Sequence, residues 1–307
     1  MTCVVVWKDV KTSTMSMLMI NLAVVDTLLL IVWTTMMALP ALCDFRGGCA
    51  FYDRVKPALS AYGWPLGSTF HMQATWSIVA ITFSRFVSVC WASRSNQVDS
   101  RLRVKGRLLM MHVLCILFNV PRFCEKYISF DPEGHMISPN TRLGASSVYA
   151  YLYQVFLYYL VIYVIPLSLL TYFTARLCIS LRAARKRREA LTAKARDNND
   201  LTFSLVIVVV VFIVCQLVNP IRRLLAAVYV DRDLGCGSVY LYYRSWVATL
   251  VNFNSACNFF IFCLCSPGFR RRLKRILYDR AKVGAIGSEG QRVNESHTTK
   301  TTSVGTT

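Results

Sequence analysis

Acidic residues are scarce in this chain: 16 Asp and Glu stand against 35 Lys and Arg, a net charge of +19 over 307 residues. Catalytic constellations are missing. There is no GxSxG elbow, no HExxH pair and no Gly-rich phosphate loop. The four histidines (His71, His112, His135 and His297) lie far apart in sequence. These absences speak against an enzyme. Among twelve cysteines no CxxC pair has a matching His or Cys set, which removes a structural zinc site. Internal repeats and a path of several ionisable groups are absent too, and transporters commonly show both. A polytopic transporter is the weaker alternative.

What the chain does have is apolar and comes in blocks, with 55% of its residues hydrophobic. A bilayer core asks for about 20 apolar residues per helix. Blocks at 14–39, 58–91, 106–124, 148–179, 201–229 and 239–264 read as six full spans of an all-α membrane protein. The opening MTCVVVW reads as the end of another span, too short to cross or to be a secretory signal. Segments 1–12, 85–107, 176–200 and 270–300 hold 25 of the 35 basic residues, which places them and the C-terminus in the cytoplasm. The run RAARKRRE at 182–189 sits between two spans, so it reads as an inside-facing anchor, not a nucleic-acid site.

Asp26, in Asn21–Asp26 (NLAVVD), is the only acid deep within any span. A carboxylate there costs about 2.5–3.5 kcal/mol on insertion scales, so it should face polar partners. Asn254, Ser255 and Asn258 are small polar groups in the last span and mark a bundle interior in the same way. That span breaks at Ser266-Pro267-Gly268. A basic amphipathic helix is predicted over 266–279, with Phe269, Leu273, Ile276 and Leu277 on one face, lying along the inner leaflet. Residues 1–280 then form one bundle unit, and 281–307 a disordered cytoplasmic tail. Cysteines inside spans, such as Cys115 and Cys215, read as packing. Cys43, Cys49, Cys124 and Cys236 are the outward disulfide candidates, with three full pairings open.

The stretch 254–279 resembles the last membrane helix and following short helix of rhodopsin-like (class A) G-protein-coupled receptors. Asn258 sits at the asparagine of that family's Asn-Pro-x-x-Tyr motif, with Phe259 and Phe262 in place of Pro and Tyr. NLAVVD resembles the family's second-span signature, and Ser84-Arg85-Phe86 its third-span Glu/Asp-Arg-Tyr/Phe motif. FNVPRFCE at 118–125, PLG at 65–67 and CQL at 215–217 are similar to invertebrate FMRFamide-type neuropeptide receptors. The resemblance runs from Lys11 to Tyr278.

It implies a seven-transmembrane-helix bundle whose first helix is largely missing, and a plasma-membrane, multi-pass receptor for an extracellular peptide. A heterotrimeric G protein would be engaged by Arg85, Arg185, Arg187 and Arg188. Phe212, Gln216, Pro220 and Phe262 would join Asp26, Asn254, Ser255 and Asn258 in the activation core, and the sixth helix would swing outward at Pro220. No cofactor is implied beyond the family's sodium ion among Asp26, Asn254, Ser255 and Asn258. Ala74 stands where the third span usually adds a ligand. Gly67 occupies the place where amine receptors carry an acid, which turns the ligand class away from amines. Peptide-binding candidates are His71, Glu125, Tyr149, Tyr153, Asn219, Arg222, Arg223, Tyr243 and Arg244. The TTKTTSVGTT tail would serve a receptor kinase and arrestin, or simply solubility. The missing first span, Ser84 and Gln216 also suit a truncated gene model or a non-signalling receptor paralogue.

Overall fold

The structure is a computed structural model that describes residues 14–45, 50–91, 100–186, 193–217 and 239–265. Its helices are α1 (Thr14–Phe45), α2 (Ala50–Ala58), α3 (Trp64–Cys90), α4 (Arg101–Phe123), α5 (Ser147–Tyr149), α6 (Ile165–Lys186), α7 (Ala193–Leu217) and α8 (Val239–Cys265). A hairpin of β1 (Ser129–Phe130) and β2 (Met136–Ile137) lies between α4 and α5, with Ser129 opposite Ile137.

Thr14–Leu39, Arg101–Phe123 and Ser147–Ser180 are long and apolar enough to cross a membrane by length and composition. α3 is more polar for a positional reason. Seventeen of its 27 residues are buried, against three of 23 in α4. α3 is thus the central helix, where other helices rather than lipid surround its polar groups. Its hydroxyls are satisfied by their own backbone: Thr69, Thr75, Ser77 and Thr82 each donate to the carbonyl four residues back. α4 instead exposes Leu109, Met110, Val113, Leu114, Leu117 and Val120, the composition of a lipid-facing stripe.

Three apolar clusters lock the bundle around α3. The largest joins Leu18 and Leu22 of α1, Ile78 and Ile81 of α3, Leu170 of α6, and Leu205, Val208 and Phe212 of α7. A second gathers Met72, Cys115, Tyr158, Ile162 and Tyr163. The third sets Val25 and Leu29 against Ala74 and Val251. Lipid tails are as apolar as leucine, so close packing rather than escape from water holds such clusters together. A polar tie crosses the same layer. Asn21 Nδ2 donates to Ser77 Oγ at 2.9 Å, and His112 Nε2 lies 2.7 Å from Asn21 Oδ1, which links α1, α3 and α4.

The span expected over 58–91 is helical throughout, joining the last residue of α2 through a π-helical turn at Leu59–Gly63 to α3. Pro57 lies at the end of α2, where its missing N–H interrupts the ordinary ladder. The expected span over 148–179 is continuous but opens with two π-helical stretches, Ala150–Leu157 and Leu160–Val164. Pro166 follows them, and its missing donor is the physical reason for a shifted ladder there. α6 reaches Lys186 and α7 starts at Ala193, so both carry the helical extensions expected beyond their spans. The N-terminal stump, the sixth-span proline Pro220, the amphipathic helix over 266–279 and the tail lie outside the described residues.

Candidate functional site

Polar side chains converge on α3 at three depths. Nearest the hairpin, Arg122 ends α4 and extends into the bundle. Its Nη1 donates to Ser68 Oγ of α3 at 2.9 Å, and its Cζ lies 5.0 Å from the centroid of the Tyr158 ring. Arg122 Nε is 3.5 Å from Glu125 Oε1, and the Tyr149 hydroxyl donates to that same oxygen at 2.9 Å. Tyr149 and Tyr153 stack at 5.0 Å, and the Tyr153 hydroxyl donates to the Phe118 carbonyl. Ser146 caps α5 by accepting the Tyr149 amide, which fixes where that ring begins.

The backbone behind Glu125 is equally determined. Thr141 N donates to the Glu125 carbonyl at 2.9 Å, and the amide of Gly144 donates to Thr141 Oγ1. A Cβ on Gly144 would meet the Glu125 carbonyl oxygen at 2.2 Å, so only glycine permits this approach. In the hairpin above, Asp131 Oδ1 accepts the amides of Glu133 and His135. The His135 amide above all holds the Asp131 carboxyl below its ordinary range. Asp131, Glu133 and His135 stand together on this exposed turn. Gly134 supplies its positive φ of 84°.

At middle depth, His71 of α3 and Gln216 of α7 are 5% and 2% exposed. Gln216 Nε2 and His71 Nε2 lie 2.8 Å apart in a hydrogen bond between α7 and α3. Tyr163 flanks His71 at 6.4 Å between ring centroids. Gly67, one turn away, packs on Trp33.

On the other side of α3, Asp26 of α1 meets α8. Asn258 Nδ2 donates to Asp26 Oδ2 at 2.8 Å. Asp26 Oδ1, Asn254 Oδ1, Asn258 Oδ1 and Ser255 Oγ are all buried and have no hydrogen-bond partner among the described residues. Unpaired buried oxygens are costly, and a set of carboxylate, amide and hydroxyl oxygens is the donor chemistry of a hard cation. The residues therefore fit a sodium ion. Ala74 belongs to the apolar cluster beside them and adds no oxygen. At the opposite end of α3 from Arg122, Arg85 is half-buried next to the buried Ser84.

A family model of the rhodopsin family of seven-transmembrane receptors matches residues 1–262. The chain belongs to that family. It is a multi-pass membrane protein of the rhodopsin-family receptor class. Its relatives include the FMRFamide receptor of Drosophila melanogaster, 24% identical over 275 residues, which cover 87% of this chain and 49% of that receptor. The sex peptide receptor of the same organism is 23% identical over 245 residues, 73% of this chain and 56% of that one. Pinopsin of Gallus gallus is 25% identical over 207 residues, 67% and 56% of the two chains. The chain spans about half the length of the curated relatives it matches.

In this receptor the structure brings Asn258 and Ser255 to Asp26, and buries Asn254 on the same helix. It also joins His71 to Gln216 and Glu125 to Tyr149, and places Phe212 in the central apolar cluster. Cys124 carries an exposed free thiol. Asn219, Pro220, Arg222, Arg223, Arg187, Arg188, Cys49 and Cys236 lie outside the described residues. Tyr243, Arg244, Phe262, Arg185 and Cys43 fall within helices, but their side chains do not belong to the described set. Sequence reasoning missed Arg122 and the pair Asn21–His112. Arg122 stands three residues before Glu125, one helical turn, and that spacing was the available signal.

Proposed function

We propose that this chain is the receptor for an extracellular, amidated neuropeptide and transmits its binding to a heterotrimeric G protein. The observation that carries the reading is the outer site itself. Arg122, Glu125, Tyr149 and Tyr153 give it cationic, anionic and aromatic groups, while Gly67 leaves it without the acid an amine requires. Broad mixed sites of this kind suit a peptide better than a small cation. Two relatives, an FMRFamide receptor and a sex peptide receptor, support the same class.

On this reading the bundle has seven spans. The hairpin end faces outward, and Arg85, Arg185, Arg187 and Arg188 face the G protein in the cytoplasm at the plasma membrane. The C-terminal Ser/Thr tail is a substrate for a receptor kinase and a docking segment for arrestin. A sodium ion among Asp26, Asn254, Ser255 and Asn258 favours the resting state. No step of signalling requires it.

The test is expression of the receptor in cultured cells, with second messengers read during a screen of amidated neuropeptides and biogenic amines. Activation by at least one amidated peptide is expected. Activation by an amine alone, at low concentration, would overturn the peptide reading.

A further inference from the structure

Arg122 and Glu125 sit side by side, yet they do not satisfy each other. Their closest approach, Nε to Oε1, is 3.5 Å, which is a charge contact and too long for a hydrogen bond. Arg122 Nε is buried without a hydrogen-bond partner. Among the described residues the guanidinium makes one hydrogen bond, to Ser68. Among the same residues Glu125 accepts one at Oε1, from Tyr149, and its Oε2 takes part in none. The site therefore keeps spare donors beside a spare acceptor, and its net charge is zero.

Buried or half-buried groups with unused capacity cost free energy until a ligand meets them. Their side chains are 12% and 19% exposed, so a ligand group reaching them is largely dry. A ligand matching this pair offers one acceptor and one donor on adjacent atoms with no charge. A primary carboxamide has that pattern, with its carbonyl oxygen for Arg122 and its NH₂ for Glu125. A free carboxylate does not. One of its oxygens would suit Arg122, but the other would face the Glu125 carboxylate, and two like charges at that distance repel.

The surroundings hold the pair in place. Ser68 and the Tyr158 ring fix the guanidinium, and Tyr149 fixes the carboxylate. Position costs are thus met before the ligand arrives. We propose that Arg122 and Glu125 form the subsite that reads the C-terminal carboxamide of the peptide and rejects its free-acid form. The proposal rests on the peptide reading given above and assigns to Arg122 a contact with the ligand.

The experiment compares FMRFamide, and a panel of other amidated peptides, each with its free acid, for binding to the full chain in cell membranes. Wild type is expected to favour the amides by about tenfold or more. Glu125→Gln should bring the amide-to-acid ratio toward unity, mainly because the acids bind better. Arg122→Lys keeps the charge but loses the planar fork, and should weaken the amides about tenfold at unchanged surface expression. An unchanged ratio in Glu125→Gln overturns the proposal. Equal weakening of both forms there would mean that Glu125 faces a ligand cation; this also overturns the proposal and leaves the peptide reading standing. Binding of no peptide in either form overturns that reading and this inference with it.

Discussion

Gln216 and His71 share a hydrogen bond 2.8 Å long between two helices, in a region where both side chains are nearly sealed from solvent. It links α7, the sixth-span helix whose outward swing the family resemblance implies, to α3 at the centre of the bundle. A buried hydrogen bond of this sort is worth about 1 kcal/mol net. Gln216→Leu should therefore shift a resting–active equilibrium roughly fivefold toward the active side. Basal second-messenger output at matched surface expression reads this directly, and output at or below wild type would count against a latch.

The second expectation concerns Arg85. Arg85→Ala should abolish agonist-stimulated signalling while ligand affinity stays close to wild type. Ligand binding and second-messenger assays on the same cells separate the two. Preserved signalling in the variant would remove Arg85 from the coupling surface.

Four buried oxygens without hydrogen-bond partners among the described residues, one of them Oδ1 of Asp26 itself, make the third expectation specific. Sodium should lower agonist affinity by roughly fivefold, the small end of allosteric coupling, because Ala74 leaves the cation one protein oxygen short. Asp26→Asn should erase the dependence. The comparison is agonist affinity at constant ionic strength with sodium exchanged for a large organic cation.

Gly144 offers a stability test far from the membrane core. A methyl group at that position collides with the Glu125 carbonyl, which belongs to backbone that the Thr141 amide also holds. Gly144→Ala should lower thermal stability in detergent and weaken peptide binding together, whereas Gly106→Ala, whose Cβ meets nothing, should leave binding unchanged.

The hairpin carries a pH expectation. Asp131 is ionised more readily in the folded turn than in an open chain, because the His135 and Glu133 amides donate to it. A carboxyl whose pKa falls on folding adds stability above its unfolded value of about 3.9 and loses it as pH drops through the lower folded value. Protection of the His135 amide from hydrogen exchange should thus persist at pH 5 to 7 and fade only below about pH 4.

The bundle was legible in the sequence wherever polarity conflicted with depth. Asp26 and Asn258, 232 residues apart, both had to face other helices, and they meet at 2.8 Å. Apolar block length anticipated Arg101–Phe123, Ser147–Ser180 and Val239–Cys265 to within a few residues at each end. The π-helical turns were not legible, since a shifted ladder leaves no periodic trace that Pro57 and Pro166 do not already leave for an ordinary kink. His112 escaped for a different reason. Its partner Asn21 is 91 residues away, and a single histidine in a span does not name its neighbour. Arg122 was hidden by sign: at the end of an apolar span it resembles any interfacial anchor.

The two π-helical stretches between Ala150 and Val164 separate one rod into two registers. Each α-helical residue turns the helix by about 100°, so an insertion or deletion that the rod absorbs as ordinary α-helix would rotate everything beyond it by that amount. Tyr149 lies just ahead of these stretches and Tyr153 within the first, and the helix that continues from Ile165 to Lys186 lies beyond the second. An insertion or deletion there re-aims the aromatic face while the remainder of the rod keeps its seat against α3. The fold thus carries a place where the outer surface can be retuned by chain length alone.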